Sequence, residues 1–125
     1  LNTPPTFSWD VAGKVFKWVK KLGGLSYFKE LNTLKASKLY QVIDNSDFYI
    51  NPVHINNRSI INIPFVLKDK KLEPLFLKES AENGLLNLKG HFTVGGMRAS
   101  IYNAMPLDGV EDLIKFMDHF ESKYG

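Results

Sequence analysis

The stretch Gly90-His91-Phe92-Thr93-Val94-Gly95-Gly96-Met97-Arg98-Ala99-Ser100 holds most of the chemistry this sequence offers. Glycines free the backbone for unusual dihedrals and for close approach to a ligand. An arginine beside them, entering a short strand, is placed to fork onto a carboxylate. His91 adds a second donor. The plain alternative is a glycine hairpin carrying a surface arginine, and the residues by themselves leave both open. A second stretch is Asn2-Thr3-Pro4-Pro5-Thr6. Thr followed by Pro reads as a helix N-cap with proline in the first turn. Helix N-termini attract phosphate, yet Pro4 and Pro5 lack an N–H. An anion here would rely on the Asn2 amide and the Thr3 hydroxyl, and capping is the favoured account.

Other chemistry has little support. His54, His91 and His119 show no metal-ligand spacing, and with no cysteine there is neither a disulfide nor a thiolate site. No GxSxG elbow is present. Lys14, Lys17, Lys20 and Lys21 read as a solvated helix face, and Trp9, Phe16 and Trp18 near them as core.

Positioning these residues takes one domain of ordinary composition. The chain has 125 residues, 44% of them hydrophobic and 23% charged, with a net charge of +3. The charge is spread out, which argues against nucleic acid, and no apolar run approaches the ~20 residues of a membrane helix. The first helix carries Val11, Val15, Trp18, Val19 and Leu22 on one face and stops at Gly23-Gly24. The second runs from about Leu25 to Asp44, with Leu25, Phe28, Ala36, Leu39 and Ile43 sharing a face. Phe48-Tyr49-Ile50 is short and extended. Ser59 to Leu67 is the clearest strand, with Ile61, Ile63, Phe65 and Leu67 pointing one way. Pro64 predicts an edge position or a bulge for it. A third helix spans about Lys71 to Asn83. Two short strands follow, Leu86 to Lys89 and Ala99 to Asn103. Asp108 as N-cap with Glu111 opens the last helix, which buries Leu113, Phe116, Met117, Phe120 and Tyr124. The order predicts an α+β fold: a small, mainly antiparallel sheet of three or four strands with helices packed on one side.

Four segments together carry a family resemblance: NTPPTF at 2–7, VIDNSDFY at 42–49, NRSIINIPF at 57–65 and, most specifically, GGMRASIYNAMP at 95–106. Over essentially all 125 residues the chain resembles the C-terminal small domain of the phosphoserine aminotransferase family, fold-type-I enzymes that use pyridoxal 5′-phosphate. The resemblance implies amino transfer between glutamate and 3-phosphohydroxypyruvate, giving phosphoserine for serine biosynthesis, and in bacteria often a role in pyridoxal phosphate biosynthesis. It implies a cytoplasmic homodimer with active sites at the subunit interface, and neither nucleic-acid nor membrane partners. Asn2 and Thr3 match residues that reach the cofactor phosphate of the neighbouring subunit. Arg98 matches the arginine that grips the substrate α-carboxylate, and His91 a histidine near the substrate phosphate or distal carboxylate. Phe92 departs from the pattern, since many members have arginine there. Either the large domain supplies enough positive charge, or substrate binding is weaker or altered.

The chain opens at Leu1 without an initiating Met, which predicts a piece of a longer protein. The lysine that forms the Schiff base belongs to the family's large domain, and no segment here matches it. The expectation is therefore one domain, 1–125, of an enzyme that is inactive without the rest. A stand-alone small-molecule-binding regulatory module is the competing expectation.

Overall fold

The structure, a computed structural model, describes residues 3–93 and 95–125. The chain divides into two compact units, 1–31 and 32–125.

The first unit holds helix α1 (Thr6–Lys21) and the start of helix α2 (Gly24–Asn45). Gly23 and Gly24 turn the chain between them with φ of 111° and 74°, values that favour glycine. Trp18 packs against Phe28 with ring centroids 4.9 Å apart, and Tyr27 meets Phe28 edge-on at 5.2 Å. α1 itself buries no residue. Trp9 and Phe16 are each 71% exposed and Trp18 38%, so none of the three is core as the sequence led us to expect. Trp9 and Phe16 lie seven residues apart, off the face that carries Val11, Val15 and Trp18, and a helix apolar on more than one face needs more than one neighbour to be buried. The N-cap also moves. It is Pro5, not Thr3, and no side chain caps the helix. Proline disfavours helical dihedrals in the residue before it, so Pro4 cannot join the helix ahead of Pro5.

The second unit is built on three antiparallel strands in the order β1-β2-β3: β1 (Tyr49–Ile50), β2 (Asn62–Leu67) and β3 (Met97–Ser100). Burial alternates along β2, with Ile63, Phe65 and Leu67 inside, as the period of two requires. These side chains, with Met97 and Ala99 of β3, pack on Ala36, Leu39 and Ile43 of α2, Phe76 of helix α3 (Glu73–Glu82) and the buried stripe of helix α4 (Leu107–Tyr124). Phe76 stands at the centre, near edge-on to Phe65, Phe116 and Phe120 at 5.8, 5.1 and 5.0 Å. The Tyr49 hydroxyl is spent inside this core, donating to Met117 O at 2.9 Å. Burial pushes its pKa up, with Glu121 and Asp118 adding to the shift.

Three sequence expectations are corrected here. β2 is the central strand, not an edge, although it contains Pro64. Ile101 N–H donates to Ile61 O on one side and Lys68 N–H to Phe48 O on the other. By this alternation the Pro64 imide nitrogen faces the β1 side, where β1 has already ended at Ile50. The Asn51 side chain reaches in and donates to Pro64 O at 2.8 Å. The last strand covers Met97–Ser100, earlier than Ala99 to Asn103, and the segment before the glycine loop contributes only a bridge, Lys89 to Met97. Finally, α4 starts at Leu107 after Pro106, with Asp108 inside its first turn and no capping box. Glu111 instead pairs with Lys38 of α2 at 2.8 Å.

Candidate functional site

β3 delivers Arg98. Strand pairing places it opposite Pro64, and its N–H donates to Leu88 O at 2.7 Å, so both edges of the strand are held. Its side chain is half-buried, and Nε is fully buried without a hydrogen-bond partner among the described residues. No carboxylate pairs with its guanidinium among those residues. A buried donor left open costs about 1–3 kcal/mol, so this one awaits an acceptor. Arg98 lines a cavity of about 780 Å³ whose walls are the 83–88 segment, β3 and α4.

The loop before β3 is shaped by its glycines. Gly90 N–H donates to Gly96 O and Gly95 N–H to His91 O, both at 2.8 Å. Gly95 and Gly96 take φ of 75° and 63°. A Cβ on Gly96 would lie 2.6 Å from Val66 Cγ1 and 2.8 Å from Phe65 O, so the loop closes directly onto β2. His91 is exposed on this loop. Its Nδ1 lies 2.7 Å from Thr93 Oγ1 and 3.4 Å from Thr93 N, so this ring nitrogen is engaged within the loop. His91 and Phe92 stack with centroids 4.4 Å apart, and Phe92 is 89% exposed. His91 does not line the cavity that Arg98 lines.

Asn2 lies outside the described residues. Thr3 is exposed, in the first unit. Around it, Thr6 N–H donates to Pro4 O at 2.7 Å and Trp9 N–H to Pro5 O at 3.2 Å, and the first turn of α1 carries no acidic residue. The N–H groups of Phe7 and Ser8, in the first turn of α1, have no acceptor among the described residues, and a helix N-terminus of this kind favours an anion.

One group escaped the sequence reading. Lys35 of α2 is completely buried, and Nζ donates to the carbonyls of Ile101, Tyr102 and Met105. Its signal was available. Asn32 and Lys35 are polar residues at the spacing of the stripe that continues through Leu39 and Ile43, where apolar side chains are the rule.

The geometry stands beside a family match. The description of the class-V aminotransferases fits residues 1–113. The chain belongs to the class-V aminotransferase family. Among curated members it is 60% identical, over all 125 residues, to the phosphoserine aminotransferase of Buchnera aphidicola subsp. Schizaphis graminum, and 55% identical to that of Acinetobacter baylyi. Each match takes in the whole of this chain and 35% of the relative. Among solved structures, phosphoserine aminotransferase from Bacillus circulans subsp. alkalophilus superposes with a TM-score of 0.95 at 45% identity, over 99% of this chain and 35% of that one. The pyridoxal phosphate-bound enzyme from Trichomonas vaginalis gives 0.87 at 40% identity, over 94% and 34%. This class-V chain thus spans about a third of the length of the relatives it matches.

Proposed function

We propose that these residues are the C-terminal small domain of a phosphoserine aminotransferase. The full-length protein would exchange the amino group of glutamate with the keto oxygen of 3-phosphohydroxypyruvate, giving 2-oxoglutarate and phosphoserine. The observation that carries the reading is Arg98, a half-buried guanidinium without a carboxylate partner among the described residues, on the wall of a cavity. The likeness to phosphoserine aminotransferases over the whole chain supports it.

Each residue then has a task. Arg98 forks onto the α-carboxylate that both amino-acid substrates share, and so fixes the reacting carbon in place. His91, whose Nδ1 is engaged by Thr93, turns Nε2 to the distal phosphate or carboxylate. Asn2 and Thr3 hold the cofactor phosphate, aided by the open N–H groups of the α1 terminus. Pyridoxal phosphate, when bound, supplies the electron sink that makes the substrate Cα–H acidic. The lysine that carries it belongs to the length of the relatives that this chain does not span. The protein works in the cytoplasm as a homodimer, and in bacteria it also serves pyridoxal phosphate biosynthesis. The exposed Trp9 and Phe16 of α1 fit a surface that is covered in the assembled enzyme.

The test is direct. The full-length protein, loaded with pyridoxal phosphate, is given glutamate and 3-phosphohydroxypyruvate, and phosphoserine is measured. Steady formation is expected. No phosphoserine from a protein that retains its cofactor overturns the reading.

A further inference from the structure

A lysine in the middle of a core needs a reason. Lys35 is 0% exposed, and among the described residues no carboxylate pairs with it. Its ammonium has three N–H bonds, and all three are used. They reach Ile101 O at 3.1 Å, Tyr102 O at 2.9 Å and Met105 O at 2.9 Å. One turn earlier on the same helix, Asn32 Nδ2 donates to Asn103 Oδ1 at 2.7 Å. The turn so held is itself tight, with Met105 N–H on Tyr102 O at 2.9 Å. Four of the five residues from Ile101 to Met105 are therefore tied to one face of α2.

Stability alone is a poor account of such a group. Burial disfavours the charged ammonium and lowers the pKa of Lys35. Replacing buried ionic groups by well-packed apolar ones is often neutral or stabilising. What Lys35 provides that an apolar residue cannot is a fixed geometry for three carbonyls at one point. That point follows immediately after β3. The final sheet bond, Ile101 N–H to Ile61 O, falls on a residue that Lys35 holds, and Arg98 is three positions upstream. Past the turn the chain enters α4, the other wall of the Arg98 cavity, and Met105 lines that cavity too.

We propose that Lys35, assisted by Asn32, is a positioning residue for Arg98: it locks the 101–105 turn and thereby fixes where β3 presents the guanidinium. The inference rests on reading Arg98 as the carboxylate-binding group. A guanidinium fork is demanding in geometry, and displacement of a positioning group by about 1 Å costs up to about 100-fold.

The experiment uses the full-length protein with pyridoxal phosphate and compares wild type, Lys35→Met, Asn32→Leu and Ile43→Ala. Ile43 lies further along the same face of α2 with no bond to the turn, so Ile43→Ala loses core packing only. Lys35→Met is expected to raise KM for glutamate and for phosphoserine together, by about 10-fold or more, with kcat within about twofold, the pattern of lost uniform binding. Deuterium exchange in a peptide covering 97–106 should rise in parallel. Ile43→Ala should lower Tm and leave both KM values unchanged. If Lys35→Met lowers Tm as Ile43→Ala does but leaves KM and the 97–106 exchange unchanged, the proposal is wrong. Should Lys35→Met fail to fold, Asn32→Leu decides, with a KM rise of about threefold or more in favour and no rise against. A wild-type protein that holds its cofactor but makes no phosphoserine overturns the proposed function instead. Exchange at 97–106 then still decides whether Lys35 holds the turn.

Discussion

Pro64 sits directly across the sheet from Arg98. Opposed residues on neighbouring strands place their Cβ atoms about 4.5–5.5 Å apart on one face, so a rigid ring stands beside the stem of the arginine. The same register turns the imide nitrogen of Pro64 away from β3, so the pairing loses no ladder bond through the proline. The central strand thus takes a residue usually confined to edges, and the arginine gains a neighbour that does not move.

Arg98→Lys should keep the charge and lose the fork. In the full-length enzyme a loss of about 1–3 kcal/mol is expected, roughly 5- to 150-fold in kcat/KM. Glutamate and phosphoserine should suffer alike, because both present an α-carboxylate. Steady-state kinetics with each substrate in turn check this. Unchanged values from a variant that still binds pyridoxal phosphate would leave the arginine as scaffold.

Phe92→Arg should restore a cation to the glycine loop beside His91. Charge-assisted bonds contribute about 1.5–3 kcal/mol, so KM for phosphoserine should fall by about tenfold or more, and by more than KM for glutamate, whose distal carboxylate carries less charge than a phosphate. Added salt should erode the gain. Equal effects on both substrates would place this loop away from the distal phosphate.

Gly96→Ala should destabilise the protein. The new Cβ meets Val66 Cγ1 at 2.6 Å and Phe65 O at 2.8 Å, in a φ of 63° that side chains disfavour. About 1–3 kcal/mol of lost stability is expected from the backbone conformation, with the contact to β2 adding to it. Gly95→Ala shares the positive φ but meets nothing within 4 Å, so it should cost less. Thermal unfolding of the two variants gives the comparison, and equal losses would remove the role assigned to the β2 contact.

Glu79 links α3 to the end of α4 by accepting from the Tyr124 hydroxyl and from Lys123. The Tyr124 bond, ahead of Lys123, holds its carboxyl below the ordinary carboxylate value. A carboxylate with a lowered folded pKa contributes stability that is present above the unfolded value and is lost as pH falls through the folded one. Tyr124→Phe should therefore melt lower than wild type at pH 7. The gap should close as the pH falls below the ordinary carboxylate range and through the lowered folded-state value. A gap independent of pH would mean that packing, not the carboxylate bond, is what the hydroxyl serves.

What the sequence disclosed, and what it hid, follows from the range of the interactions. Leu113, Phe116, Met117 and Phe120 recur at helical spacing, and Ile63, Phe65 and Leu67 at strand spacing, so local periodicity found both. The glycine loop and Arg98 were legible because unusual backbone needs unusual residues. The limits of β3 were not, because the strand gives way at Ile101 to a turn whose carbonyls Lys35, distant in sequence, captures. The edge assignment for β2 failed because it took Pro64 to be unable to sit in a ladder, when only one side of that residue needed a bond. The exposure of α1 was hidden as well, since an apolar face does not say which molecule, or which part of one, covers it.

Both tryptophans, Trp9 and Trp18, belong to the first compact unit, while the aromatic cluster around Phe76 belongs to the second. Intrinsic tryptophan emission consequently originates in residues 1–31 alone. Far-ultraviolet circular dichroism sums over every helix and strand of the chain, and the second unit holds the sheet, α3 and α4. Two melting curves recorded on one sample would then follow the first unit and the whole chain. Their coincidence or separation tells an experimenter whether the units unfold as one.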